Sequence, residues 1–60
     1  MEPLEGKRGV TLSALRPSGF ARIDGRKVDV VTRGEMIDED VDVVVIDVSA
    51  NRVVVAQIKS

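Results

Sequence analysis

The residue types that enzymes use as nucleophiles and bases are sparse in this chain. It has four serines, Ser13, Ser18, Ser49 and Ser60, but no cysteine and no histidine. A serine hydroxyl needs a neighbouring base, and no lysine stands at a spacing typical of a dyad. Ser18 lies in a Pro-Ser-Gly turn, where we expect its hydroxyl to bond to local backbone. We therefore predict that the chain is not an enzyme.

A second group of candidate residues is acidic and lies between positions 38 and 42. Its members are Asp38, Glu39, Asp40 and Asp42. They lack the Asp-x-Asp-x-Asp-Gly spacing of a loop that wraps a calcium ion. The usual zinc ligand sets need histidine or cysteine, which are absent. We expect a solvated acidic loop, and neither a metal nor a cofactor.

A third group of candidate residues is basic, and one aromatic residue lies among them. Five cations, Arg16, Arg22, Arg26, Lys27 and Arg33, lie in the first half of the chain near Phe20, its only aromatic residue. Barrels that bind single-stranded nucleic acid stack bases on several aromatic side chains, at ~1–3 kcal/mol per base. With one aromatic residue, binding would be weak and salt-sensitive. Nucleic-acid binding is thus the alternative function, and we expect Phe20 to plug the barrel or cover a strand end.

Charge is distributed unevenly along the chain although its net value is only −1. Residues 1–33 carry seven Lys/Arg against four Asp/Glu, and residues 34–60 carry two against six. Two interpretations are open: a mixed, solvated surface, or a bipolar one that orients a partner or a second copy.

The elements that would position these side chains are short strands. Alternation places Val10, Leu12 and Ala14 on one face of the first strand and Thr11 and Ser13 on the other. Val, Ile and Thr, which favour pleated strands over helices, fill the later segments. A flexible tail at residues 1–6 is predicted to precede one domain at 7–59. The predicted strands are 7–14, 19–24, 26–32, 41–49 and 52–59.

Turn signals separate these strands. Pro17 is typical of a turn, and we expect Gly19 to adopt a positive φ there. Asp24-Gly25 has the two-residue form of a type I′ hairpin. Residues 33–40 read as a loop with one short helical turn around Met36 and Ile37. The order of meander, longer connection and hairpin predicts an all-β chain, a small five-stranded OB-fold-type barrel, with an SH3-like barrel as the rival.

Two apolar runs in the last two strands permit two interpretations. Val43–Ile46 and Val53–Ala56 are apolar on consecutive positions, so both faces of these strands would meet apolar surroundings. Either surface valines are tolerated on an ordinary barrel, or the second face contacts another chain. The runs are far shorter than the ~20 residues of a membrane span. A barrel of this size would fill its own interior, so we expect no ligand cavity.

The chain resembles the C-terminal soluble domain of the NfeD family from Gly9 to about Val55. The resemblance rests on Leu15-Arg16-Pro17-Ser18-Gly19, on the Asp24-Gly25 hairpin, on Gly34-Glu-Met-Ile37 and on the valine runs. It implies that Leu15–Gly19 forms a motif turn, and that Gly34 and Ile37 lie in the longer connection. Asp40 and Ala50-Asn51 stand where relatives often have glycine; Asn51 tolerates a left-handed conformation well and Asp40 less readily.

The resemblance also implies a function. NfeD-like barrels belong to membrane proteins associated with stomatin- and flotillin-like proteins, with membrane-protein quality control and with membrane microdomains. We therefore expect a protein-interaction module on the cytoplasmic face that binds such a partner or a second copy of itself. Strands three to five are expected to supply its apolar face. Any membrane attachment is expected to depend on helices that this sequence does not contain.

Overall fold

Five strands, which pair mostly antiparallel, form a closed barrel in the computed structural model, which describes residues 4–58. The barrel order is β1-β2-β3-β5-β4, and β1 also pairs with β4. This confirms the predicted all-β, five-stranded OB-type barrel. The strands are β1 (Arg8–Thr11), β2 (Ser18–Ile23), β3 (Arg26–Val31), β4 (Asp42–Ser49) and β5 (Arg52–Gln57).

The barrel interior is filled by aliphatic side chains from the strands and from one loop. Strand alternation sends every second side chain inward, so β2 and β4 each contribute residues two apart. Because these side chains occupy the centre of a narrow barrel, the core is packed. The buried core cluster consists of Leu15, Ala21, Ile23, Val30, Ile37, Val43, Val45 and Val55.

The first strand is shorter than predicted, and the predicted helical turn is absent from the described residues. β1 ends at Thr11, and Leu15 instead forms an isolated antiparallel bridge with Ile37. The Leu15 N–H donates to the Ile37 carbonyl at 2.7 Å, and the Ile37 N–H donates back at 3.2 Å. Both side chains are buried. The prediction of a helical turn around Met36 and Ile37 is therefore wrong, because burying Ile37 requires an extended segment.

The β2–β3 hairpin has the predicted geometry, but Gly19 does not have the predicted positive φ. Asp24 and Gly25 have φ values of 55° and 78°, as the type I′ turn requires. Gly19 lies in extended strand β2, and a positive φ occurs instead at other glycines. A Cβ at Gly19 would lie 2.7 Å from the Ala14 carbonyl oxygen and from Leu15 Cδ2. Glycine is needed there for close approach, not for a left-handed turn.

Two left-handed residues occur where the family resemblance implied glycine. Asp40 has a φ of 59°, so it adopts the left-handed conformation. In the β4–β5 hairpin the positive φ of 51° belongs to Ala50, and Asn51 has none. A positive φ at only the first of the two central residues is typical of a type II′ turn.

The segment before β1 contacts the barrel. Leu4 packs against the core, and the Gly6 N–H donates to the Val45 carbonyl at 2.8 Å. Residues 1–3 of the predicted tail, and Lys59 at the predicted end of the fifth strand, lie outside the described residues. No helix within residues 4–58 has the length and apolar character needed to cross a bilayer.

Candidate interaction surface

Val10 of β1 and Leu12, the residue after β1, both face outward, because Thr11 between them occupies the inward position. Thr11 is fully buried, whereas Val10 and Leu12 are exposed. The Thr11 hydroxyl donates to the Asp38 carbonyl at 2.7 Å and accepts from the Val41 N–H at 2.9 Å. A buried hydroxyl with both partners satisfied is not costly. The alternation of β1 therefore places its apolar side chains on the outer surface.

Phe20 lies next to these two residues on the same surface. The Leu12 N–H donates to the Phe20 carbonyl at 2.8 Å, so the two residues form a cross-strand pair. Val10, Leu12 and Phe20 are 38%, 39% and 40% exposed, and we call them the outer apolar face. The prediction that Phe20 plugs the barrel or covers a strand end is wrong, since inward positions on β2 belong to Ala21 and Ile23.

The outer apolar face has a border of charged residues of both signs. The Lys27 Nζ lies 4.3 Å from the centre of the Phe20 ring, a cation–π contact. Arg22 is the register partner of both Val10 on β1 and Lys27 on β3. Like charges directly opposite each other are destabilising. Asp29 is the register partner of Phe20 itself, so a carboxylate borders the face together with the two cations.

Other exposed hydrophobic residues lie mainly on β4. Ile46 and Val48 are 40% and 38% exposed, and a bulge between Val45 and Asp47 interrupts the pairing of β4 with β5. Met36 is exposed in the connection between β3 and β4. Within the described residues, β3 and β5 carry no large exposed hydrophobic residue, and Val53 packs against the core. Among β3, β4 and β5, only β4 therefore carries large exposed hydrophobic residues within residues 4–58. That strands three to five supply the apolar face stays a prediction.

The predicted motif residues are spread over the barrel. Leu15 is a core residue, while Arg16, Pro17 and Ser18 are exposed as the chain enters β2. The Thr32 N–H donates to the Pro17 carbonyl at 2.9 Å, which extends the β2–β3 ladder by one pair. Asp24-Gly25 forms the β2–β3 hairpin, whereas Gly34, with a φ of 107°, lies in the connection after β3. These residues shape turns and do not converge on one site.

A surface groove of about 390 Å³ lies beside the β4–β5 hairpin. Its walls come from the C-terminal half of β3, from the start of β5 and from the entry to β2. The lining residues are Pro17, Ser18, Asp29, Val30, Val31, Asn51, Arg52 and Val53. The groove is open to solvent and separate from the packed interior.

The serine and acidic candidates do not assemble a reaction centre in the part of the chain that the structure describes. Ser13 Oγ accepts from the Phe20 N–H at 3.1 Å and donates to the Ala14 carbonyl at 3.3 Å, so its bonds are local. No group of three Asp or Glu residues within residues 4–58 is arranged to hold a metal ion. Asp47 Oδ2 lies 3.9 Å from Arg33 Nη2 in an exposed ion pair. Such a pair contributes little to stability.

The fold and its surface define the class: a small OB-type barrel domain with a filled interior and an apolar face on its outer surface. The chain belongs to the NfeD family, because residues 1–57 match the family model described as the NfeD-like C-terminal, partner-binding domain. This confirms the resemblance read from the sequence.

One curated relative agrees with this assignment, and one solved structure shares the fold. The chain is 46% identical over 55 residues to membrane protein NfeD1b of Bacillus subtilis (strain 168), a match that spans 92% of this chain and 13% of that protein. Its fold matches the C-terminal domain of stomatin operon partner protein 1510-C from Pyrococcus horikoshii with a TM-score of 0.88. That match has 19% identity and covers 95% of this chain and 91% of the other, so it shows the fold alone.

Proposed function

We propose that this chain is a non-catalytic assembly module of an NfeD-like membrane protein. Its folded part, residues 7–59, lies on the cytoplasmic face and binds a stomatin- or flotillin-like membrane protein. The role of that complex is in membrane-protein quality control or in the organisation of membrane microdomains. The family description as a partner-binding domain and the name of the archaeal structural match support this proposal.

The outer apolar face is the observation that carries the proposal. Val10, Leu12 and Phe20 form a contiguous apolar surface on a barrel whose interior is already filled. Covering such a surface with a partner gains about 25 cal/mol for each Å² of apolar area removed from water. Aromatic residues and arginine are also enriched at the cores of protein interfaces.

The charges around the face indicate the chemistry of the partner. Arg22, Lys27 and Asp29 border the face, so a partner surface that combines apolar side chains with charges of both signs is complementary to this one. Complementary charges accelerate association and exclude like-charged proteins. The partner surface is therefore expected to be apolar with a border that carries charges of both signs.

Partner binding is expected to depend on Leu12 and Phe20. We expect L12S/F20S to reduce recovery of a co-expressed stomatin-type protein roughly tenfold or more, since it removes two central apolar contacts. The measurement is a pull-down with the full-length NfeD-like protein, compared with the same protein lacking this domain. I46S/V48S is the matched control, because Ile46 and Val48 on β4 are equally exposed.

Two results would contradict this assignment. If removal of the domain leaves recovery unchanged, the module does not bind that partner. If I46S/V48S abolishes recovery and L12S/F20S does not, the binding surface lies on β4 instead of on β1 and β2. Thermal unfolding of each variant establishes that the folded state is retained.

A second candidate function is weak binding of single-stranded nucleic acid, which the exposure of Phe20 beside Arg22 and Lys27 favours. One aromatic side chain provides stacking for a single base, ~1–3 kcal/mol. We expect no binding of an oligothymidine to the purified chain in a fluorescence titration at low salt. Micromolar affinity that falls steeply with added salt and is lost in Phe20→Ser would support this candidate and weaken the first.

A further inference from the structure

The groove beside the β4–β5 hairpin lies across the outer side of β3. Residues 29–31 of β3 line it, with residues 17–18 at the entry to β2 on one side and residues 51–53 at the start of β5 on the other. Its volume of about 390 Å³ is near the lower end of the range for ligand pockets, about 300–1,000 Å³. It therefore suits one or two side chains of a peptide better than a whole cofactor.

The groove combines an apolar lining with polar groups that have no partner in the chain. Val31 and Val53 are half-buried and, with Pro17, supply its apolar surface. Within residues 4–58, neither the Ser18 hydroxyl nor the Asn51 side-chain amide forms a hydrogen bond, which differs from the local bond expected for Ser18 from the sequence. An apolar lining with a few polar groups is typical of binding sites.

The two sides of the groove carry opposite charges. β3 and β5 run parallel, and the pairing of Val31 with Val54 sets Asp29 level with Arg52, two residues earlier on each strand. Both side chains are exposed, and neither forms an ion pair among the described residues. The Arg52 guanidinium can therefore bind an incoming carboxylate, which it suits in geometry and charge. The Asp29 carboxylate can bind an incoming cation.

The groove is continuous with the outer apolar face. Phe20 on β2 is the register partner of Asp29, and Asp29 is level with Arg52, so the three residues follow one another across the sheet. Neighbouring strands lie about 4.8 Å apart, and an extended chain advances about 3.3 Å per residue. A partner segment that covers Phe20 thus reaches Arg52 within about three further residues.

We infer that the groove receives an extended segment of the protein that covers Phe20. In that segment, an apolar side chain lies on Val31 and Val53, with a basic residue toward Asp29 and an acidic residue toward Arg52. This inference rests on the proposed function, because it assigns the segment to the stomatin-type partner. Continuity with the outer apolar face is the reason for choosing that partner as the occupant, and the opposite charges define the chemistry of the segment.

Filling the groove and reversing one of its charges test this contact. The measurement is recovery of the co-expressed stomatin-type protein by the full-length NfeD-like protein. Ser18→Tyr places a ring in the groove and Arg52→Glu reverses the charge on one side, so each should reduce recovery roughly tenfold. Ser18→Ala, which leaves the groove open, should have little effect. Arg33→Glu is the matched charge control, because Arg33 is exposed and does not line the groove.

The outcomes separate this inference from the proposed function. Loss of recovery in Ser18→Tyr and Arg52→Glu, with recovery kept in both controls, supports the groove contact. If the two groove variants recover the partner normally while L12S/F20S does not, the groove inference is overturned and the proposed function stands. Normal recovery by L12S/F20S as well overturns both. Thermal unfolding followed by circular dichroism establishes that each variant is folded.

Amide hydrogen exchange supplies a measurement that needs no variant. Residues 50–53, at the β5 side of the groove, should exchange more slowly in the complex than in the NfeD-like protein alone. Residues 33–36, which are exposed and outside the groove, should exchange equally in both. Unchanged exchange of residues 50–53 in the complex would overturn the inference. Protection that rises with the concentration of the NfeD-like protein alone would also overturn it, by assigning the groove to a second copy.

Discussion

Gly9→Ala is expected to remove most of the free energy of unfolding of the domain. A Cβ at this position would overlap the backbone carbonyl of Arg22 and lie 2.7 Å from Ile23 Cγ1. Because a backbone carbonyl in a ladder cannot swing away as a flexible side chain does, β1 and β2 would have to separate. We expect a loss of about 3 kcal/mol or more. The whole domain is expected to be stable by only about 3–5 kcal/mol.

Urea unfolding followed by far-ultraviolet circular dichroism measures this effect. Gly25→Ala is the matched control, because a Cβ there meets nothing within 4 Å and only its φ of 78° is unfavourable. We expect that control to cost about 1–2 kcal/mol. If Gly9→Ala unfolds at the same urea concentration as Gly25→Ala, β1 and β2 do not approach each other closely at Gly9.

Thr11→Val is expected to have the second largest effect although it changes the side-chain volume very little. The hydroxyl is fully buried and bonds to both the Asp38 carbonyl and the Val41 N–H, which lie in the connection before β4. Valine would leave the part-buried Asp38 carbonyl and Val41 N–H without this partner, at about 1–2 kcal/mol each, because water reaches them only in part. We expect a total loss of about 2–4 kcal/mol and early exchange of the Val41 amide.

The control for this prediction is Thr11→Ser, which keeps the hydroxyl and removes one methyl group. Its cost should be near that of a buried methyl, about 1 kcal/mol. Equal stability of Thr11→Val and the parent chain would show that the hydroxyl does not hold the connection. A larger loss in the serine variant than in the valine variant would give the same conclusion.

Local patterns accounted for the strands and for one turn. Alternation and the valine-rich runs located all five strands to within a few residues, because β-branched residues favour a half-buried pleated surface. Asp24-Gly25 identified the tight hairpin, since only a few residue types accept two successive positive φ values. The family resemblance then supplied the partner-binding role, which no periodicity in this chain shows.

Which face of each strand points inward was not evident from residue types alone. A threonine between a valine and a leucine reads as the polar face of β1, yet Thr11 is the buried residue. Its hydroxyl is satisfied by the backbone of residues 38 and 41, which are distant along the chain. Hence the outer apolar face could not be found from the alternation of β1.

Sequence alone thus determined the fold class, the strand positions and the family, because these follow from local backbone preferences and from short motifs. Tertiary structure alone decided the orientation of Phe20 and the need for glycine at position 19. Each of these depends on how segments far apart in the chain meet when the barrel closes. Close approach, burial and pairing are properties of two segments together, and neither segment encodes them separately.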